Sequence, residues 1–210
     1  MRKKERARVV LERLRKVFPA PESALSWADP WELLVATLLA AQCTDARVNT
    51  VTPEFFRRWP APPALSTADV AEVETVVHST GFFRNKAKNL VAAAGMVVHE
   101  FGGELPRTMA ELTRLPGVAR KTANIVLSNA MGVHEGIAVD THVKRLSFRL
   151  GLTLSGNPIV IEKDLMPLFP QNAWGEINHL LVLHGRGACK ARKPDCPACV
   201  LADICPKHGV

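Results

Sequence analysis

The C-terminal end of this 210-residue chain carries four closely spaced cysteines, the feature that most restricts its fold. Cys189, Cys196, Cys199 and Cys205 follow the spacing C-x6-C-x2-C-x5-C. Thiolates bind soft or borderline metals, so this group predicts zinc or an iron–sulfur cluster rather than free thiols. Structural zinc sites usually have two separate C-x2-C pairs, whereas a cluster suits a single loop wrapped around it. The spacing therefore favours a cluster and leaves zinc as the alternative.

The rest of the chain has the pattern of an all-α protein. Apolar residues recur at helical spacing in most segments, and no long stretch alternates as a strand does. Proline and glycine mark the breaks between these segments, among them residues 60–63. We therefore predict an all-α fold with a small metal-bound end. The predicted helices cover residues 2–18, 30–41, 44–58, 68–78, 84–99, 108–114, 120–131, 141–150, 158–168 and 172–185.

Basic residues exceed acidic ones, 27 to 20, which gives a formal net charge of +7. This balance favours an anionic partner such as nucleic acid. Lys190, Arg192 and Lys193 lie between the first two cysteines of the tail, where a metal-pinned loop would present them to phosphates. Solubility alone is the alternative role for these three cations. Because no apolar signal region or bilayer-length stretch is visible, we expect a soluble intracellular protein. We also expect it to be a monomer that is located in the cytoplasm and associated with the nucleoid.

A second motif lies in residues 112–124, where a short helix ends in a Pro-Gly turn and a new helix starts near Arg120. Backbone N–H groups of a tight turn that leads into a helix N-terminus form an anion site. An ordinary helix–helix turn is the alternative. The residues predicted to hold one DNA phosphate here, without reading bases, are Pro116, Gly117, Val118, Ala119 and Arg120.

Lys121 is an unusual residue at the start of this second helix. A helix N-terminus is positive, so cations are disfavoured there, and Arg120 adds a like charge. Both effects favour the neutral amine, whose lone pair can attack a sugar carbon. The alternative is a solvated lysine that tolerates a small unfavourable interaction.

Asp140 is the carboxylate that the chain is able to bring back towards Lys121. The helix that contains Lys121 climbs about 15 Å, and the extended stretch 136–140 covers roughly 16 Å on the way back. A carboxylate at that level would deprotonate the amine or stabilise cationic charge on a sugar. Asp140 also precedes a helical pattern, so it is a natural N-cap, and the two roles do not exclude each other.

Three segments together resemble the endonuclease III family of helix-hairpin-helix glycosylases, and the resemblance covers nearly the whole chain. They are residues 115–124, residues 139–143, and residues 184–186 with the cysteine tail. The resemblance implies a [4Fe-4S] iron–sulfur cluster, a six-helix barrel domain and a four-helix cluster domain, with the active site in the cleft between them. The implied domains are residues 21–133 for the barrel, and residues 1–20 with 134–210 for the cluster domain.

The family also implies an activity. The chain would be a bifunctional DNA glycosylase and AP lyase of base excision repair, acting on double-stranded DNA that contains a damaged base or an abasic site. The target nucleotide must leave the duplex because its reacting carbon is buried in the stack. Lys121 would attack the sugar C1′ and expel the base, by implication an oxidised pyrimidine. Asp140 would assist, and the resulting Schiff base would permit strand cleavage by β-elimination.

Two further positions match family residues that fill the gap left by the flipped nucleotide. They are Gln42 and Phe82, and a wedge between base steps is physically sensible. The alternative is that Phe82 and Phe83 are core residues and that Gln42 only caps a helix. Arg84 and Lys86 follow Phe82 and are candidate DNA contacts.

The chain departs from the family pattern at two places. Ala119 stands where the hairpin commonly has glycine, and alanine would strain the turn and weaken phosphate binding if that position needs a positive φ. Phe82 stands where an aliphatic residue is often found, and Phe83 replaces the usual tyrosine. We expect this second departure to alter the range of damaged bases or the preferred opposite base.

Three other functions stay open on the sequence. A monofunctional mismatch glycosylase of the same superfamily keeps the aspartate and the cluster but lacks the lysine, so Lys121 argues against it. A non-catalytic helix-hairpin-helix DNA-binding protein needs neither Lys121 nor Asp140. A zinc-stapled RNA- or protein-binding domain would be colourless, whereas a cluster protein is yellow-brown.

Overall fold

The computed structural model describes residues 1–210 and divides into two compact units. The terminal unit comprises Met1–Glu22 and Gly136–Val210, and the central unit comprises Ser23–Glu135. The sequence predicts these boundaries after residues 20 and 133. All regular structure is helical, which confirms the all-α prediction.

Eleven α-helices and three short 3-10 helices form the two units. The terminal unit contains α1, α9, α10 and α11, and the central unit contains α2 to α8. The 3-10 helices cover His78–Thr80, Met166–Leu168 and Gln171–Ala173. The α-helices are α1 (Lys3–Val17), α2 (Pro30–Leu39), α3 (Asp45–Arg58), α4 (Pro62–Ser66), α5 (Val70–Val77), α6 (Phe83–Phe101), α7 (Met109–Leu112), α8 (Arg120–Ala130), α9 (Thr141–Arg149), α10 (Pro158–Leu165) and α11 (Trp174–Arg186).

Local signals explain most helix starts. A side-chain oxygen accepts a backbone N–H bond at the start of six helices, at Asp29, Thr44, Asp69, Thr108, Asp140 and Asn157. The sequence does not predict the short helix α4, because its prolines indicate a break between helices. Pro62 occupies the first turn of α4, where a missing N–H costs nothing and the fixed φ suits the helix.

Each unit has its own apolar core. In the central unit, Leu33, Phe55 and Leu90 are fully buried together with residues of α5 and α8. In the terminal unit, Leu14 from α1 and Leu146 from α9 are fully buried in a second cluster. Full burial of one such side chain contributes about 1.5–3 kcal/mol, so each core fixes the helices that carry the predicted site residues. No helix combines the length and the apolar character needed to cross a bilayer.

Candidate nucleic-acid interface and cluster site

The turn between α7 and α8 is built around Gly117. A hydrogen bond of 3.0 Å from the Val118 N–H to the Leu115 carbonyl closes the turn, and Gly117 has a φ of +80°. A Cβ atom added to Gly117 would lie 2.9 Å from Nδ2 of Asn89 on α6. Glycine is therefore required here both by the left-handed backbone and by the close approach of a neighbouring helix.

The N-terminus of α8 has no side-chain cap. Its N-cap residue is Ala119, in extended conformation with φ −89° and ψ 165°. The predicted strain at Ala119 is therefore absent, because any L-residue adopts this conformation without difficulty. An uncapped helix start leaves backbone N–H groups of the first turn able to bind an anion.

The predicted hairpin contacts differ in their exposure. Gly117, Ala119 and Arg120 are exposed, and Pro116 is half-buried. Val118 was predicted to contact phosphate, but its side chain is buried in the central core and its N–H bonds to Leu115 within the turn. Val118 thus anchors the turn instead of offering a donor.

Lys121 occupies the second position of α8 and is exposed. Arg120 precedes it in the same helical turn. Thr122, the next residue, lines an open pocket of the central unit with a volume of about 260 Å³. The pocket is also lined by Gln42, Phe82, Lys86, Asn89 and Gly117.

Gln42 and Phe82 are held in an uncommon backbone conformation. Their φ values are +53° and +48°, and both side chains belong to exposed residues, Phe82 at 63 %. A non-glycine residue in the left-handed region costs about 1–3 kcal/mol, and such residues concentrate at functional sites. Because its side chain is exposed, Phe82 is not a core residue. Phe83 is half-buried, with its ring 4.4 Å from that of His78, and the guanidinium of exposed Arg84 lies 5.6 Å from the Phe83 ring centroid.

Lys86 does not have the predicted role of a direct DNA contact. Its side chain is buried, and Nζ donates hydrogen bonds of 2.8 Å to the carbonyls of both Leu39 and Thr80. Burial lowers the pKa of the Lys86 amine, against a smaller opposite influence of Cys43. Sequence proximity to Phe82 suggested a surface cation, but the amine points inward to backbone carbonyls.

Asp140 belongs to the terminal unit and caps α9. Its Oδ1 accepts a hydrogen bond of 2.7 Å from the Val143 N–H, as the capping interpretation predicts. The segment before it is fixed by Asn178, whose Nδ2 donates to the Ala138 carbonyl at 2.8 Å. Burial lowers the pKa of nearby His179, opposed by the charges of Asp140 and Glu22. Asn178 was not singled out from the sequence, because its partner is a backbone carbonyl far along the chain.

The four tail cysteines line one largely apolar pocket of the terminal unit, together with Arg149 and His184. Four thiolates that line a single pocket form the donor set that an iron–sulfur cluster needs. Burial raises the pKa of the thiols of Cys199 and Cys205, so iron must displace their protons on binding.

Arg149 fixes the loop that carries the tail cations. Its guanidinium donates to the carbonyls of Lys190 at 2.7 Å and Ala191 at 3.0 Å, and lies 3.4 Å from the Cys189 sulfur. His184 lies 3.4 Å from the Cys199 sulfur and is also buried. The side chains of Lys190, Arg192 and Lys193 are exposed, so the loop presents its cations to solvent. Arg149 was not identified from the sequence.

Comparison with known proteins first defines the class. Residues 35–171 match the family model described as "HhH-GPD superfamily base excision DNA repair protein". Residues 189–205 match the model described as "Iron-sulfur binding domain of endonuclease III". A thermostable thymine-DNA glycosylase superposes with a TM-score of 0.85 at 22 % identity, covering 98 % of this chain and 95 % of that one, and shares the fold.

Relatives over the full length narrow this class to one family. Endonuclease III of Synechocystis sp. is 54 % identical over 97 % of this chain and 93 % of its own length. Endonuclease III of Escherichia coli strain K12 is 38 % identical over 93 % of this chain and 92 % of its own. The solved structure of a trapped endonuclease III–DNA covalent intermediate has a TM-score of 0.92 and 41 % identity, covering 99 % of this chain and 97 % of that one. The chain belongs to the endonuclease III family, and its cofactor is a [4Fe-4S] iron–sulfur cluster.

Proposed function

We propose that the chain is a bifunctional DNA glycosylase and AP lyase of base excision repair, which removes oxidised pyrimidines from double-stranded DNA and then cuts the strand. The observation that carries this proposal is the exposed amine of Lys121 in the first turn of an uncapped helix, directly after the Gly117 turn. The similar solved structure is that of a trapped endonuclease III–DNA covalent intermediate, and such an intermediate requires a nucleophile on the protein. We further propose that the enzyme acts as a cytoplasmic monomer.

Lys121 supplies the nucleophile in this mechanism. The Nζ lone pair forms a bond to the sugar C1′, and the bond from C1′ to the base breaks, so that the base leaves with the electron pair and takes up a proton. Opening of the sugar ring gives an imine between Nζ and C1′. Loss of a C2′ proton then expels the 3′ phosphate, which breaks the strand, and water later releases the amine.

Asp140 acts as the base and as an electrostatic partner. A carboxylate accepts the proton that the attacking ammonium must lose, and its charge stabilises the cationic sugar. The observed N-cap bond uses Oδ1 of Asp140, and it fixes the orientation of the carboxylate for this task.

The remaining residues bind and deform the DNA. Backbone N–H groups at the start of α8 hold one phosphate, while Gln42 and Phe82 fill the gap that the flipped nucleotide leaves. In the terminal unit, Cys189, Cys196, Cys199 and Cys205 hold the cluster. The loop between Cys189 and Cys196 would be held in a fixed shape when the cluster is bound. Lys190, Arg192 and Lys193 then contact phosphates without reading sequence.

Borohydride trapping tests this function. Wild-type protein and Lys121→Gln are mixed with one duplex that carries an abasic site and one that carries an oxidised pyrimidine. We expect a trapped complex on both duplexes for the wild type and on neither for Lys121→Gln. Lys163→Gln, which removes an exposed lysine of α10, should trap like the wild type. If the wild type binds both duplexes but is trapped on neither, the mechanism is wrong.

A further inference from the structure

Lys86 connects the two loops that carry Gln42 and Phe82. Its Nζ donates 2.8 Å hydrogen bonds to the carbonyl of Leu39, the last residue of α2, and to that of Thr80, the last residue of the 3-10 helix. Gln42 and Phe82 follow these two carbonyls within a few residues. One ammonium group therefore fixes the backbone just before each loop residue.

The charge of Lys86 is balanced by these carbonyls and not by an acidic side chain. No salt bridge involves Lys86, although its residue exposure is only 7 %. Carbonyls at helix C-termini carry partial negative charge, which favours an ammonium group there. Burial of a cation without a carboxylate partner is unfavourable, so a residue that served packing alone would be apolar. Packing alone therefore does not account for a lysine here, whereas its two hydrogen bonds do.

The two loops need such a constraint. Gln42 and Phe82 both have left-handed backbones, and Phe82 precedes α6 without a side-chain capping bond. The Lys86 backbone N–H also bonds to the Phe82 carbonyl at 3.1 Å, so Lys86 holds this loop through its backbone and its side chain. A strained conformation persists only where its surroundings over-determine it.

We propose that Lys86 is a positioning residue that sets Gln42 and Phe82 in the geometry required to fill the gap in the DNA. This inference rests on the proposed function, in which Gln42 and Phe82 form the wedge. A wedge that is already ordered replaces the stacking lost by the duplex without a further ordering penalty. Lys86 then acts on base removal from duplex DNA and not on the chemistry of Lys121.

Lys86→Met tests the proposal because methionine keeps much of the side-chain length and loses the donors. Base release from a duplex with an oxidised pyrimidine is measured under single-turnover conditions, and Schiff-base trapping is measured on a single-stranded abasic oligonucleotide. We expect a loss of about 10- to 100-fold on the duplex, because small misplacement of positioning groups has effects of this order. On the single strand we expect Schiff-base trapping to fall by less than about 3-fold, since no stacked base has to be replaced.

Lys88→Met is the matched control. Lys88 lies on the same helix and is exposed, and its substitution removes the same charge. Equal duplex rates for Lys86→Met and Lys88→Met would overturn the proposal. If the wild type itself forms no Schiff base on any substrate, the proposed function fails instead, so the two failures are distinguishable.

A double-mutant cycle tests whether Lys86 acts through the wedge. In the background Gln42→Ala with Phe82→Ala, the additional effect of Lys86→Met on duplex base release should disappear, because no wedge remains to be positioned. Persistence of the full loss in that background would overturn the proposal. Thermal unfolding checks that each variant folds, and if Lys86→Met does not, Lys86→Leu, which also lacks a donor, replaces it under the same criteria.

Discussion

Asp140 has two roles in this account, and two substitutions separate them. Asp140→Ala removes both the N-cap acceptor and the carboxylate, whereas Asp140→Asn keeps an acceptor for the Val143 N–H and removes only the charge. Loss of an N-cap side chain destabilises by about 1 kcal/mol, within a range of roughly 0.5–2. In a chain of 210 residues this corresponds to a decrease in Tm of about 2–4 °C. Asparagine is as good an N-cap as aspartate, so Asp140→Asn should lose only the charge–dipole contribution, about 0.3–1 kcal/mol.

Activity should follow a different pattern from stability. A positioned general base contributes about 10²- to 10⁴-fold to rate, so both Asp140 variants should lose at least about 100-fold in single-turnover base release. Thermal unfolding followed by circular dichroism gives the stability, and base release from a duplex with an oxidised pyrimidine gives the rate. Asp29, which caps α2 through a 2.9 Å bond from the Glu32 N–H, supplies the control. Asp29→Ala should lose a similar Tm and keep its rate. If Asp140→Asn keeps nearly the wild-type rate while Asp140→Ala loses it, Asp140 is only a cap and the catalytic assignment is refuted.

Three further predictions concern single residues. Gly117→Ala should weaken binding to an abasic duplex in fluorescence anisotropy as well as lower the Tm, whereas Gly132→Ala, with φ +66° but open space around it, should lower only the Tm. Phe82→Gly should leave the Tm unchanged or slightly higher, because relief of about 1–3 kcal/mol of strain offsets about 0.5–1 kcal/mol of added chain entropy. Base release by Phe82→Gly should nevertheless fall, and an unchanged rate would exclude Phe82 from the wedge. Burial lowers the pKa of His179 in the folded protein. As the pH falls below about 6.5, His179 of the unfolded chain therefore binds a proton before His179 of the folded chain does, and the free energy of unfolding decreases. His179→Gln should reduce the difference in Tm between pH 7.5 and pH 5.5, and an equal difference in both proteins would contradict this reasoning.

The sequence predicts those parts of the fold that depend on local signals. The start of α9 is visible because Asp140 is a good N-cap before a helical pattern, and the N-terminus of α8 is visible because a Pro-Gly turn precedes it. The strain that the sequence predicts if Ala119 needs a positive φ is absent, because Ala119 is extended and any residue adopts that conformation. These features involve residues close together in the chain.

The features that the sequence does not predict depend on contacts between distant segments. Lys86 looks like one more surface cation until its amine is seen to bond to the carbonyl of Leu39, 47 residues away. Arg149 likewise bonds to the Lys190 carbonyl, 41 residues away. Every residue has a backbone carbonyl, so residue types do not show which carbonyls accept these two hydrogen bonds. The left-handed conformations of Gln42 and Phe82 are also unmarked, because neither residue is glycine.

The central claim is that the Lys121 amine is the atom that bonds to the damaged nucleotide. The direct measurement is mass spectrometry of the wild-type complex trapped with borohydride, after digestion of protein and DNA, to locate the residue that carries the sugar remnant. We expect a single modified peptide with the added mass on Lys121. A remnant on another lysine or on the N-terminal amine, with Lys121 unmodified, would contradict it.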